Sequence, residues 1–186
     1  MWKPAVTTLW LVVLIGAGPL EARGQTTARA DVFGSAGLQA LWDDESSLGT
    51  GGSAGGGIGV VFGDRLVVRG RVVRTHNERD FGNGVEFDAT TTRYTADALW
   101  RLSSSEHAAF VGVGVGGLSF TRTSQFPPEG ATVFSRSDTD FVFGGIGGFT
   151  AFTRGRFALR PEASFWWSQP NNFIGIECSV LASVGF

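Results

Sequence analysis

The chain reads as an all-β protein, an eight-stranded antiparallel up-and-down transmembrane barrel. Three observations predict it. The last stretch alternates with a period of two: Ile174, Ile176, Cys178, Val180, Ala182, Val184 and Phe186 are apolar or small. The interleaved Phe173, Gly175, Glu177, Ser179, Leu181, Ser183 and Gly185 carry the small and polar residues and the only charge. Such a period makes a strand with two unlike faces. About ten residues so patterned cross a bilayer when the strand is tilted. Second, the same patterning recurs along the chain until eight segments are counted. Third, the connections between them alternate short and long, as they do in membrane barrels.

The segment before the strands is set aside. Lys3 is followed by an apolar run from Val6 to about Ala17. That run is too short for a membrane helix and fits the hydrophobic region of a secretory signal. Ala22-Arg23-Gly24 supplies a small-x-small cleavage pattern, so residues 1–24 read as the signal and 25–186 as the barrel domain. Ala28-Arg29-Ala30 is a competing cleavage site. No Cys stands near either, which excludes a lipoprotein signal. Without Lys3, Glu21 and Arg23, 13 basic residues face 16 acidic ones. Lys3 is the only lysine, so every remaining cation is Arg. A weakly acidic, lysine-free surface argues against nucleic-acid binding. Cys178, the one cysteine, can form no intramolecular disulfide.

The strands follow in order. The first, Asp31 to Trp42, sets Val32, Ala36, Leu38 and Ala40 against Asp31, Ser35 and Gln39. The acidic stretch DDESSLGT then loops. The second runs from Ser53 to Phe62, and Gly63-Asp64 makes a tight turn. The third, Leu66 to Thr75, sets Leu66, Val68, Gly70 and Val72 against Arg69 and Arg71. NERDFGNG loops. The fourth, Phe87 to Trp100, sets Tyr94, Ala96, Ala98 and Trp100 against Arg93, Thr95 and Asp97. RLSSSEH turns. The fifth, Ala108 to Phe120, is VGVGVG at its heart, with Val111, Val113 and Val115 on one face. A long loop holds QFPPEG. The sixth, Thr139 to Phe152, sets Phe141 and Phe143 against Asp140, and Arg154-Gly155 turns the chain. The seventh, Arg156 to Trp167, sets Phe157, Leu159, Ala163, Phe165 and Trp167 against Arg156, Arg160, Glu162 and Ser164. SQPNN leads into the eighth. Pro161 sits mid-strand without an N–H, which predicts a bulge or a weak ladder there.

Gly is abundant at 28 residues, much of it inside apolar runs. In a narrow barrel, inward Gly leaves room for long side chains from neighbouring strands. Sorted by height, Trp42, Phe120, Phe141, Trp166, Trp167 and Phe173 fall near one rim. Phe62, Trp100, Phe149, Phe157 and Phe186 fall near the other. Two aromatic girdles are what membrane interfaces favour.

A soluble lipocalin-type barrel would put its apolar face inside. The secretory signal, the rim aromatics and the matched signs of the strand charges favour the membrane arrangement, with the polar face inward. The interior is then a charge network of Arg69, Arg71, Arg93, Asp97, Asp140, Arg160, Glu162 and Glu177. Buried charges must find partners. Sequential hairpins predict that Arg160 and Glu162 meet Glu177 and Asp140 on the flanking strands.

The strand count, the final Phe186, and the ALRPEASFWW stretch with inward Arg160 and Glu162 together resemble the OmpA-type eight-stranded outer-membrane barrel family. The resemblance spans the whole chain after the signal. It implies export to the bacterial cell outer membrane. It also implies engagement of the outer-membrane assembly machinery through the C-terminal strand, with Phe186, Val184 and Val180 as the assembly signature. The expected surroundings are the lipid bilayer and lipopolysaccharide, and the expected state is a monomer. OmpA itself continues into a peptidoglycan-binding domain; this chain stops at Phe186, so only the barrel role is implied.

An eight-stranded barrel is just wide enough for side chains to fill. The expected function is therefore non-enzymatic: a structural or surface-interaction role, with the interior plugged by Arg, Asp and Glu pairs. Neither cofactor nor metal is expected. One alternative is a narrow passive pore or a small-ligand-binding barrel. Another is a lipid-A-modifying enzyme, whose chemistry needs a His with a hydroxyl and a carboxylate at the outer rim. His107 sits beside Glu106 at a short turn. His76 has Glu78 and Asp80 close in sequence but no His-x-Ser pattern. The loops hold Asp43, Asp44 and Glu45, then Glu78, Arg79 and Asp80, then Phe126-Pro127-Pro128-Glu129. They read as solvated, with an acidic cluster able to share divalent cations with lipid phosphates.

Overall fold

A computed structural model describes residues 29–43, 47–80, 86–125 and 134–186. The signal over 1–24 lies outside them, as do Asp44, Glu45 and the Phe126-Pro127-Pro128-Glu129 loop. The strands are β1 (Arg29–Trp42), β2 (Ser47–Phe62), β3 (Leu66–Asp80), β4 (Glu86–Arg101), β5 (Ala109–Gln125), β6 (Phe134–Phe149), β7 (Phe152–Arg154), β8 (Phe157–Gln169) and β9 (Ile174–Gly185). Every pairing is antiparallel and joins sequence neighbours, except that β1 also pairs with β9 and β6 also pairs with β8. The sheet therefore closes on itself. The three-residue β7 prolongs β6 along β8, so nine segments make eight staves.

The register fixes the shape. From Val32, stepping across paired residues leads to Ile58, Gly70, Ala96, Val115, Phe143, Trp167 and Ile174, and returns to β1 at Trp42. One circuit climbs ten residues along β1, so eight staves close with a shear of ten. At ordinary strand spacings that tilts the strands by roughly 40°. Every residue on this path points outward. The opposite parity points in.

Two tight turns use glycine for backbone reasons, since Gly63 and Gly155 have φ of 59° and 61°. The connections 63–65, 102–108 and 155–156 lie at one end of the barrel, the turn end, together with Arg29 and Phe186. The opposite ends of the strands, from Trp42 and Ser47 to Gln169 and Ile174, make the loop end.

The bulge expected at Pro161 is present. Gly148 pairs with Glu162, but Phe152 pairs with Leu159. Three residues, 149–151, thus face two, Arg160 and Pro161. The Ala151 N–H donates to the Leu159 carbonyl at 2.9 Å, so odd residues of β8 turn their backbone groups toward this side. The N–H that Pro161 lacks falls where the ladder is already broken. Towards β9 the register runs through Pro161 without a shift.

Several strands are longer at the loop end than the hydrophobic pattern predicts. β3 continues from Thr75 to Asp80, β5 from Phe120 to Gln125, and β2 begins at Ser47 rather than Ser53. The ladder does not stop where the apolar face stops. Thr-rich polar segments extend it, and sequence hydropathy reads those as loop.

Candidate functional site

Inward parity builds the site. On β3 it collects Arg69, Arg71, Val73, Thr75 and Asn77; on β4, Arg93 and Asp97; on β8, Arg160, Glu162, Ser164 and Trp166; on β9, Glu177 and Ser179. The central charges are all buried, Arg69 at 4% and Glu177 at 1% exposed. Arg69 grips Glu162 through two bonds, Nη1 to Oε1 at 2.5 Å and Nη2 to Oε2 at 2.7 Å. Its Nε donates to Asp97 Oδ2 at 2.8 Å. This is the bidentate geometry that suits Arg to a confined carboxylate. Arg71 stands 3.6 Å from both Asp97 and Glu162, a second cation shared between the same two anions. Arg93 is paired with Glu177, whose other oxygen accepts from Ser53 Oγ at 3.2 Å. The guanidinium groups of Arg69 and Arg93 also lie over the rings of Phe33 and Trp166, at 5.5 and 5.2 Å. Three cations thus meet three carboxylates in one layer.

These pairings correct the expectation drawn from hairpin neighbours. Arg160 and Glu162 contact neither Glu177 nor Asp140. Arg160 pairs with Asp31 on β1 at 2.9 Å, near the turn end. Glu162 reaches across the lumen to β3, and Glu177 reaches across to β4. Arg69 and Glu162 sit on staves that are not adjacent in the sheet. In a barrel this narrow the shortest route for a long side chain is across, not along the wall. Asp140 meets no cation among the described residues. It accepts from Ser168 Oγ at 2.9 Å and from Asn171 Nδ2 at 2.6 Å, at the loop end. Arg156, read as part of the inward face of its strand, is exposed at a turn.

Above and below the charges the interior is apolar. Towards the loop end, Leu41, Leu48, Ala89, Leu118, Phe120, Val142, Trp166 and Phe173 form one buried cluster. Towards the turn end, Val67, Leu99, Phe110 and Ile146 form another, with Val61 against it. The upper cluster corrects the girdle expectation. Phe120, Trp166 and Phe173 have the right height but the wrong face, being 5%, 2% and 8% exposed. The Phe120 and Phe173 rings stack 4.5 Å apart. Their parity matches Leu118, Ser164 and Glu177, and that was the signal height-sorting ignored. The turn-end aromatics Phe62, Trp100, Phe149, Phe157 and Phe186 do face outward and are exposed, as is Phe141 at the loop end.

Inward glycine makes room as expected. A Cβ on Gly114 would meet Asp97 Oδ1 at 2.5 Å, and one on Gly175 would meet the Trp166 indole nitrogen at 2.5 Å. Outside, Val32, Leu38, Ile58, Val68, Val113, Phe165, Val180 and Val184 are exposed, and Leu159 is half-buried. This face is the reverse of a soluble protein's.

The histidines lie apart from the charge layer. His107 Nδ1 is bound to the Thr150 carbonyl at 3.1 Å, at the turn end. His76 faces outward at the loop end. Its Nε2 is 2.9 Å from Glu78, and its Nδ1 is 3.2 Å from Thr90 Oγ1 and 3.3 Å from Asp88. Thr90 is the cross-strand partner of His76, which no sequence spacing exposes.

No protein-family model and no curated protein matches the chain. Solved structures do. The attachment invasion locus protein Ail of Yersinia pestis, in complex with the heparin analogue sucrose octasulfate, superposes with a TM-score of 0.63 at 14% identity, covering 86% of this chain and 99% of that one. Neisserial surface protein A superposes at 0.65 with 16% identity, covering 84% and 97%. OprG of Pseudomonas aeruginosa superposes at 0.58 with 11% identity, covering 88% and 98%. Fold and exterior define a transmembrane β-barrel. The particular fold is the closed, eight-stranded, up-and-down barrel of these outer-membrane proteins.

Proposed function

We propose that the protein is a non-enzymatic barrel of the bacterial outer membrane, plugged inside and working through its loop end. What carries the reading is the filling of its cross-section. A balanced layer of three Arg and three carboxylates lies between two apolar clusters. Charges matched this closely lock staves together, and the interior of an eight-stranded barrel leaves little width beyond them. The loop end offers what the interior does not. There the outward faces of β3, β4 and β5 turn from apolar to polar through Arg74, His76, Thr90, Thr92, Ser119 and Thr121. That border faces the lipid headgroups, where exposed Arg74 suits the phosphates of lipopolysaccharide. Fractionation of the native host tests the location. The protein is expected with the outer membrane, migrating faster on a gel when unheated than when boiled. Recovery as a soluble periplasmic protein with no heat-dependent shift defeats the reading.

One observation favours a second reading. Thr90, His76 and Glu78 line up as hydroxyl, imidazole and carboxylate on the lipid-facing side, an arrangement that can activate a nucleophile toward an acyl ester. Against it, Asp88 competes for the same ring nitrogen and all these groups are solvated. The lipid-A mass profile of cells with and without the protein separates the two. An unchanged profile is expected. A lost acyl chain that returns in a His76→Ala strain would install the enzyme instead.

A further inference from the structure

Among the described residues, a cavity in the interior has a polar lining left without partners. It lies at mid-height among β3, β4, β5, β6 and β8, lined by Arg71, Arg93, Thr95, Asp97, Ser164 and Trp166, with Gly114 and Gly144 opening the wall. Each of those six polar residues presents buried atoms with no hydrogen bond to the protein. They are Arg71 Nε and Nη1, Arg93 Nε, Thr95 Oγ1, Asp97 Oδ1, Ser164 Oγ and Trp166 Nε1. Most of the unpartnered buried polar atoms among the described residues therefore gather at one place. Scattered, they would read as local packing errors. Gathered around a space that admits a water-sized species, they describe a binding site.

The chemistry of the lining selects the guest. Arg71, Arg93 and Trp166 can only donate. Asp97 Oδ1 can only accept. Thr95 and Ser164 can do either. The guest must accept from nitrogen and donate to a carboxylate within the same shell. A halide accepts but cannot donate, and it would face Asp97 at close range. It would also add a negative charge to a layer in which three Arg already balance Asp97, Glu162 and Glu177. An ammonium ion donates but cannot accept from the three nitrogen-bearing side chains. Neutral water does both. We propose that this cavity is a specific water-binding site, in which a bound water accepts two hydrogen bonds from the Arg71 and Arg93 N–H groups and donates one to Asp97 Oδ1 and one to the hydroxyl oxygen of Thr95 or Ser164. The water is then the seventh member of the charge layer. It holds Arg71, which makes only 3.6 Å contacts with Asp97 and Glu162, in place between them. Val142 and Trp166 belong to the loop-end apolar cluster and Ile146 to the turn-end one, so the site lies where the two clusters meet the charge layer.

The proposal rests on the plugged interior argued above, and the test keeps the two apart. The full-length mature barrel is refolded into detergent and crystallised from a bromide salt. The expected result is a density peak within hydrogen-bonding distance of Asp97 Oδ1 and an Arg71 or Arg93 nitrogen, with no anomalous signal at the bromine edge. A bromide peak there overturns the proposal in favour of an anion site. A closed cavity in which these side chains have paired with one another overturns it outright. Conductance of the same preparation in planar bilayers addresses the plug separately. Steady current together with the ordered water would fail only the plug, and a silent barrel without the water would fail only the site.

Discussion

Glu177 shows what a single inward residue is asked to do. It is 1% exposed, paired with Arg93 and bonded to Ser53. Glu177→Gln leaves the Arg93 charge buried and unpaired, which costs about 3–5 kcal/mol. Denaturant unfolding of the refolded barrel, followed by tryptophan emission, is expected to show that loss. Asp64→Asn in an exposed turn is expected to show almost none. Replacing both partners, Arg93→Met with Glu177→Leu, removes the stranded charge and should recover part of the loss. Strict additivity in this cycle would mean that the pair does not interact. The outward parity is tested at Val180, which is half exposed to the apolar surroundings while Ser179 beside it faces in. Val180→Arg places a cation at mid-bilayer, at about 2–4 kcal/mol. Cys178 shares the outward parity and is free. In membranes it is expected to react with a lipid-soluble maleimide and resist a charged one. The reverse selectivity would turn β9 inside out.

At the scale of the strand, period two carried most of the information. It gave the facing of Val68 against Arg69 and of Phe141 against Asp140, because one face meets lipid and the other a crowded lumen. It even located the irregular point, since Pro161 lacks a donor wherever it sits. Partner choice was not legible. Which carboxylate Arg69 reaches depends on shear and diameter, and both are properties of the closed sheet rather than of any hairpin. Height alone does not separate Trp166 from Trp167; parity does, since Trp167 faces lipid and Trp166 caps the lumen. β9 is the strand that closes the sheet, paired with β1 from Trp42 down to Asp31. Phe186 follows it, 71% exposed, with its N–H donating to the Ala30 carbonyl at 2.8 Å. Deleting Phe186 removes both the last closing bond and an aromatic at the turn-end interface. The deletion is expected to lower the amount of heat-modifiable protein in the outer membrane and raise the amount recovered from the periplasm. Equal assembly of both forms would remove Phe186 from the insertion signal.

For the whole molecule the question is whether anything passes through it. An ion entering at the loop end meets first the Phe120, Phe173 and Trp166 cluster, which offers no hydration. Beneath it, Arg69 and Glu162 span the lumen through two bonds, and Arg93 and Glu177 span it along another line. Opening a path requires breaking at least one of these buried pairs away from bulk water, and each break strands a charge. Below them Phe110, Leu99 and Ile146 close the section again. Three barriers in series, one of them ionic, predict a silent barrel. Purified protein in planar bilayers at high salt is expected to show no stepwise current at ordinary voltages. Glu162→Ala combined with Arg69→Ala removes the bidentate bridge without a net change of charge. It should raise leak current if the bridge is the main obstacle. If leak stays at zero, the apolar clusters are sufficient seals. Steady current from the unaltered protein would mean that the charge layer lines a conduit, and the narrow-pore reading would then replace the plug.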